Sequence, residues 1–277
     1  MVMGQGASVV VVGGGVMGCS IAFHLAERGV DTLVLERGTV CSGMTARSGA
    51  LVRMHYTNEP EARMALAGLR YFQDWRDRVG GWCGFTVTGA AVLVGPGEGT
   101  RLDRNVAMLR RVGVDTEAVA PGDLAAEHPE LDLSGVERAA VEPGSGYADP
   151  VATTFAFASR AVDQGARIAQ GVAVRRLAVA GDRVVGVDTD DGPIGADAVV
   201  LACGPWVDPL ARTAGFELGI TPERSQIAFF GRPGPPEEGD LGPLGGDAQL
   251  EPGRPGQRVD PRPAGEHDHV GVGGVDD

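Results

Sequence analysis

The residues best spaced for chemistry lie near the amino end. Gly13-Gly14-Gly15-Val16-Met17-Gly18 is a G-x-G-x-x-G, and Glu36 stands 18 residues past Gly18. Gly13 allows a tight turn, Gly15 lets backbone N–H groups approach a pyrophosphate, and Gly18 lets helix and strand pack closely. The amino end of the following helix favours phosphate charge. An acid at the end of the next strand is placed to accept hydrogen bonds from ribose hydroxyls. No Ser-His-Asp set or metal-ligand cluster is discernible. All 24 basic residues are arginine, so lysine-dependent chemistry is closed to this chain.

The flanking elements must place these groups. Ser8 to Val12 is a fully apolar β-branched run, the pattern of a strand buried on both faces of a parallel sheet. Ile21 and Leu25, four apart, mark a helix that Gly29 closes. Asp31 to Leu35 reads as a second strand ending in Glu36. A glycine-rich turn alone is weak evidence; strand, glycines, helix, strand and acid in register point to a dinucleotide site. The fingerprint does not choose between NAD and FAD. Arg37 to Tyr56 is a Gly-, Ser- and Thr-rich loop offering backbone donors and hydroxyls. Val172 to Ala180 and Val184 to Thr189 form a hairpin around Gly181-Asp182. Residues 198–202 are a further buried strand, and Gly204 stops it where a backbone approaches a bound ring system.

Between these parts, Thr57 to Val79 reads as one helix, with an Asn58/Glu61 capping box and Pro60 in its first turn. Ala65, Leu69, Phe72, Trp75 and Val79 form a single apolar stripe, so the aromatics are core residues. Two short strands follow within Gly84 to Val94, then helices over Leu102 to Arg111 and from Pro121 to Glu127.

Composition sets further bounds. With 277 residues and 43% hydrophobic content, the chain can hold one large or two ordinary domains. The net charge of −13 disfavours nucleic acid and anionic membrane surfaces as partners. The four cysteines are scattered, which argues for a reducing cytosol, and a secretory signal is not expected. Residues 231–277 differ from the rest: 12 of these 47 are Gly and 8 are Pro, with no aromatic residue after Phe230. Such a stretch cannot offset its ordering entropy by apolar burial, and it is expected to be a disordered or out-of-frame tail.

The VVGGGVMGCSIAFHLAERG start, the LVLERG second strand, the GMTARSGALVR loop and the ADAVVLACGPW strand resemble the D-amino-acid oxidase/sarcosine oxidase/glycine oxidase superfamily. The resemblance runs from residue 7 to about 230 and includes Gly146-Tyr147-Ala148-Asp149-Pro150 ahead of a helix. It implies an α/β fold: a Rossmann-like FAD/NAD(P)-binding domain with an interleaved α+β substrate domain, incomplete at the C-terminus. The FAD-binding domain would occupy 7–83 and 146–206, and the substrate domain 84–145 and the start of a second part at 207–230.

The resemblance also implies FAD rather than NAD. Gly13, Gly15, Val16, Met17 and Gly18 would serve the pyrophosphate, Glu36 and Arg37 the adenosine side, and Thr45, Ala46 and Arg47 the flavin side. Val174 would meet the adenine, with Ala202, Gly204 and Trp206 on the closing strand. Some members attach flavin through a histidine after the second strand, where this chain has Ala46 or Arg47; others use a cysteine near the carboxyl end, and none follows Cys203. Non-covalent FAD is therefore expected. Arg53 would hold a substrate carboxylate, because a guanidinium fork pairs with it bidentately. His55 and Tyr56 would line the same cavity. The implied reaction oxidises the C–N bond of an amino acid or N-methyl amino acid by hydride transfer to flavin N5, in a cytoplasmic enzyme. Oxygen or another acceptor would reoxidise the flavin. A lysine often underlies oxygen reactivity in the family, and this chain has none. The superfamily includes subunits of hetero-oligomers. Two alternatives stay open, an inactive truncated FAD-binding fragment and an FAD-dependent hydroxy-acid or glycerol-phosphate dehydrogenase.

Overall fold

The computed structural model describes residues 6–223. The strand pattern at 224–230 and the tail expected at 231–277 lie outside the described residues.

The apolar run becomes β1, Ala7–Val12, with Val10 and Val11 fully buried. It lies between two parallel neighbours, β2 (Thr32–Glu36) and a later strand that closes the sheet. The helix between β1 and β2, α1, spans Val16–Ala26. Its small residues Cys19, Ala22 and Ala26 are buried, which allows close packing against a second helix after the insertion.

That insertion carries β3 (Leu51–Val52), α2 (Glu59–Gln73), α3 (Trp75–Arg78), β4 (Thr86–Val87), β5 (Ala90–Val94), α4 (Gly99–Arg111), β6 (Glu117–Val119), α5 (Pro121–Glu127), β7 (Arg138–Glu142) and β8 (Gly146–Tyr147). These strands form two small antiparallel sheets, β3-β8-β4 and β5-β7-β6. Helix α4 buries Leu102 and Val106 against Ala140 of β7, and its Leu109 joins Met54, Ala62 and Leu69 in a separate core.

The chain then returns through α6 (Pro150–Asp163), whose Asp149 cap accepts from the N–H groups of Val151 and Ala152 at 2.8 Å. Next come β9 (Arg167–Gln170), the hairpin β10 (Val174–Ala180) and β11 (Arg183–Thr189), β12 (Gly192–Leu201) and α7 (Val207–Arg212). The main sheet has the order β10-β11-β12-β1-β2-β9. Strand β12 serves two partners. Its first residues pair antiparallel with β11, and Ala196 to Leu201 pair parallel with β1. One face of the sheet packs on α1, α3 and α6 through Val11, Val34, Phe23, Trp75 and Phe157. On the other, Val10, Val12, Leu33 and Leu35 share a core with Leu177, Val187 and Leu210. The α/β architecture with a parallel sheet agrees with the expectation.

Three local differences have physical reasons. The helix expected over 57–79 breaks at Asp74, where the backbone (φ −101°, ψ 20°) ends α2 and begins α3. Aspartate competes with helical hydrogen bonding, and the break stacks Trp75 on Phe72 with centroids 5.5 Å apart. Asn58 accepts from Glu61 N–H at 3.0 Å, while Glu61 Oε2 accepts from the Asn58 side-chain amide at 2.6 Å rather than from its backbone, and Trp75 and Val79 are core. Strand β8, assigned from sequence to the returning nucleotide-binding part, pairs with β3 and β4. A Cβ at Gly146 would lie 2.0 Å from the Thr86 carbonyl oxygen, so only glycine fits between those backbones. Helix α7, assigned to the second domain, buries Leu210 in the main-sheet core.

Candidate cofactor and active site

The glycine turn joins β1 to α1 at the carboxyl ends of β1, β2 and β12. Ligands bind at such ends in doubly wound sheets, where strand order reverses. Gly13 has φ +113°, and a Cβ there would lie 2.5 Å from the Ala202 carbonyl oxygen. A Cβ on Gly18 would lie 1.8 Å from the Gly13 carbonyl oxygen. Gly15 is the extended N-cap of α1 and brings no side-chain acceptor; the first turn has no acidic residue. The helix end therefore presents donors and positive dipole to an anion. The Thr45 hydroxyl accepts from Val16 N–H at 3.1 Å, and a Cβ at Gly15 would touch that hydroxyl at 3.0 Å. The cradle fits a diphosphate held by backbone. Met17, the next residue of the turn, is 65% exposed.

Glu36 ends β2 beside this turn. Its two carboxylate oxygens accept from Gly14 N–H (2.7 Å) and Gly38 N–H (2.8 Å). These bonds fix the carboxylate while leaving each oxygen with a further lone pair. Arg37 lies over the Trp206 ring, 4.0 Å from its centroid, a cation–π contact joining the ends of β2 and β12. Ala202 N–H donates to the Val12 carbonyl at 2.8 Å, and Gly204 turns the chain at φ +56°. Val172 N–H reaches the Glu36 carbonyl at 2.9 Å, so Val174 opens β10 close to the same strand end.

The loop after β2 is tied to the turn. Cys41, at φ +69°, donates its N–H to the Gly14 carbonyl at 2.9 Å. Val40 N–H donates to Gln170 Oε1 at 2.7 Å. Thr45, Ala46 and Arg47 form a short 3-10 turn, with Ala46 and Arg47 exposed. Burial pushes the Cys19 thiol beside the turn up to about 12, with Cys41 and Glu36 adding to the effect, so it is inert at neutral pH.

The candidate substrate residues divide into two groups. Arg53 is exposed; its guanidinium donates to the His55 carbonyl at 2.6 Å and lies 5.2 Å from the Tyr56 ring centroid. Leu51, 74% exposed, pairs across β3–β8 with Tyr147, 46% exposed, which gives an open apolar face two residues from Arg53. The His55 side chain is buried: Nε2 lies 3.0 Å from Asn105 Nδ2, and Nδ1 lies 3.7 Å from Glu142 Oε1. His55 and Thr57 line a cavity of about 450 Å³ with Leu102, Asn105 and Met108, a lining that does not include Arg53 or Tyr56. The sequence reading overlooked Glu142. The only signal was an acid ending a strand of Arg138-Ala139-Ala140-Val141, too common a pattern to single out.

A family model described as FAD dependent oxidoreductase (DAO) matches residues 8–274, through most of the stretch that composition set apart. The 4-methylaminobutanoate oxidase (formaldehyde-forming) of Paenarthrobacter nicotinovorans is 35% identical over 213 residues, 76% of this chain and 26% of that protein. The chain thus spans about a quarter of that relative's length. Among solved structures, L-proline dehydrogenase from P. horikoshii superposes with a TM-score of 0.71 at 30% identity, covering 76% of this chain and 56% of that one. Glycine oxidase from Geobacillus kaustophilus gives 0.65 at 26% identity, covering 76% and 59%. The expected glycine turn, the parallel sheet that carries it and a match over nearly the whole length agree, and the chain belongs to the FAD-dependent oxidoreductase family.

Proposed function

We propose that this chain carries the FAD site and the carboxylate anchor of an enzyme that oxidises the C–N bond of an amino acid or N-methyl amino acid. The observation that carries the reading is the glycine cradle at the amino end of α1; an exposed Arg53, two residues from the open face of Leu51 and Tyr147, supports the anchor. The names of the three relatives add support: 4-methylaminobutanoate, glycine and proline each combine an amine with a carboxylate. In this reading the substrate is held by its acid while its C–H bond is presented for removal.

When bound, FAD supplies the hydride acceptor. The residues of the chain hold and orient. The α1 amino end and the backbone of Gly15, Val16 and Met17 take the diphosphate, and Gly13 and Gly18 permit the approach. Glu36, fixed by Gly14 and Gly38, receives the ribose hydroxyls. Arg37 and Trp206 close the adenosine side, with Val174 nearby, and Ala202 and Gly204 bring backbone to the cofactor. Thr45, Ala46 and Arg47 border the flavin side. Arg53 orients the substrate by two parallel charge-assisted hydrogen bonds, with Tyr56 bracing the guanidinium. Binding is non-covalent, since residues 46 and 47 are alanine and arginine.

Glu36→Ala is expected to weaken FAD binding by about 1–3 kcal/mol, the size of lost hydrogen bonds to a charged group. Fluorescence titration of the full chain with FAD measures this, and unchanged affinity would remove Glu36 from the site.

The activity itself is tested anaerobically. N-methylglycine should bleach the 450-nm-region flavin band of the FAD-loaded 277-residue chain, and acid precipitation should then leave the flavin in the supernatant. Arg53→Lys should raise the KM for N-methylglycine roughly tenfold or more, because lysine cannot form the bidentate pair, and should change that for N-methylbenzylamine far less. A flavin that resists both substrates, or an equal response to the substitution, contradicts the reading.

A further inference from the structure

We infer that Glu142 is a positioning residue for Arg53: a buried carboxylate on β7 that grips the peptide between Arg53 and His55 and so sets the direction of the guanidinium. The inference rests on the reading of Arg53 as the carboxylate anchor and extends it to residues outside the cofactor crevice.

Glu142 is 1% exposed, among the largest fully buried side chains. Its Oε2 accepts from Met54 N–H at 3.0 Å and from the Ser145 hydroxyl at 2.8 Å. Its Oε1 has no hydrogen-bond partner among the described residues and faces His55 Nδ1, also unpartnered, at 3.7 Å. A buried charge is costly unless paired and hydrogen-bonded, so a carboxylate kept here has a role that packing does not explain. Burial raises the Glu142 pKa, but the His55 side chain, Met54 N–H and the Ser145 hydroxyl together outweigh it and hold the carboxyl below its ordinary range. The group is therefore an anion at neutral pH.

The tautomer of His55 follows from its other nitrogen. Asn105 Nδ2 lies 3.0 Å from Nε2, and with the amide placed this way Nε2 is assigned as the acceptor. The ring proton sits on Nδ1 and points at Glu142 Oε1. Three elements meet at this carboxylate: the strand-like segment after β3, the end of β7 and, through His55, helix α4. Met54 itself is 1% exposed and seats its side chain in the core with Leu69 and Leu109. Residue 54 is thus held at both its N–H and its side chain. Arg53, its neighbour, is tied forward to the His55 carbonyl at 2.6 Å. Its exposed guanidinium makes no ion pair with a carboxylate among the described residues. The chain just after Arg53 is held by Glu142 at Met54 N–H, and the guanidinium is left without a carboxylate partner, as an anchor for an external carboxylate requires. The Glu142 charge is buried and turned to Met54 and His55, so it positions the segment that carries the arginine without pairing with the guanidinium.

The test uses the FAD-loaded full chain and two probes that cannot be oxidised at the α carbon because it carries no hydrogen. These are 2-aminoisobutyrate, with amine and carboxylate, and tert-butylamine, with the amine alone. Calorimetric titration gives their dissociation constants. Glu142→Gln is expected to weaken 2-aminoisobutyrate about tenfold and tert-butylamine less than twofold, a selectivity that a general loss of folding would not produce. Arg53→Lys should show the same selectivity. If Arg53→Lys is selective and Glu142→Gln is not, the positioning role is overturned while the anchor stands. If Arg53→Lys leaves both probes unchanged, the anchor reading fails and this inference falls with it. Should Glu142→Gln lower the thermal midpoint too far for titration, Ser145→Ala keeps the buried charge but removes one of the bonds that orient it. It should then weaken 2-aminoisobutyrate two- to threefold and spare tert-butylamine, and an unselective result overturns the role.

Discussion

Alanine at position 18 is expected to destabilise the chain by about 3 kcal/mol and to abolish flavin retention. The new Cβ would sit 1.8 Å from the Gly13 carbonyl oxygen and 3.6 Å from the Ala202 side chain. The nearest obstacle is backbone, so no rotamer change relieves it. The turn must open or α1 must lift from the sheet. Overpacking a tight contact typically costs 1–3 kcal/mol, and the upper end applies where backbone must move. Lifting α1 also separates Gly15 and Val16 from the Glu36 side of the crevice, so stability and cofactor binding should fall together. Chemical denaturation and FAD titration of the same sample read both. A variant that unfolds like the parent and still holds FAD would show that helix and turn do not meet as closely as described.

Glu142→Ala should cost about 3–5 kcal/mol, the range for removing one partner of a buried polar cluster. The substitution leaves Met54 N–H, the Ser145 hydroxyl and His55 Nδ1 buried without the carboxylate they face. The parent should also show an acid limb that the variant lacks. Hydrogen bonds hold the folded Glu142 pKa below its ordinary value of 4.5. A depressed carboxyl contributes stability that is fully present above the unfolded pKa and is lost as pH falls through the folded one. The stability difference between parent and variant should thus be constant near neutrality and shrink below about pH 4.5. Denaturant unfolding of both proteins between pH 3 and 7 measures it. A difference that does not change with pH would mean that folding leaves the Glu142 pKa unshifted, and one that falls as pH rises would mean that folding raises it.

The sequence by itself determined the parts of this protein whose signals are local. β1, α1, β2 and the glycine turn were legible because backbone sterics leave few residues able to occupy such positions. Only glycine fits at 13 and 18, where a side chain would strike a carbonyl oxygen. The same holds for the cap at Asn58, whose hydrogen bond reaches three residues. The apolar stripe with Trp75 and Val79 was equally plain, because burial imposes its period on the chain.

Tertiary structure decided the rest. That β8 pairs with β3 and β4, rather than opening the nucleotide half, depends on Val52 and Val87, 94 and 59 positions away, meeting Gly146. That α7 belongs to the main-sheet core depends on Leu177 and Val187 arriving beneath it. His55 and Tyr56 are neighbours in sequence, yet one is buried against Glu142 and Asn105 while the other stays with Arg53 at the surface. Glu142 itself was invisible, since its partners Met54 and His55 lie 88 and 87 positions away. A local pattern records the backbone geometry a residue must adopt; it does not record which distant donor a buried carboxylate will meet, because that is set when separate sheets pack.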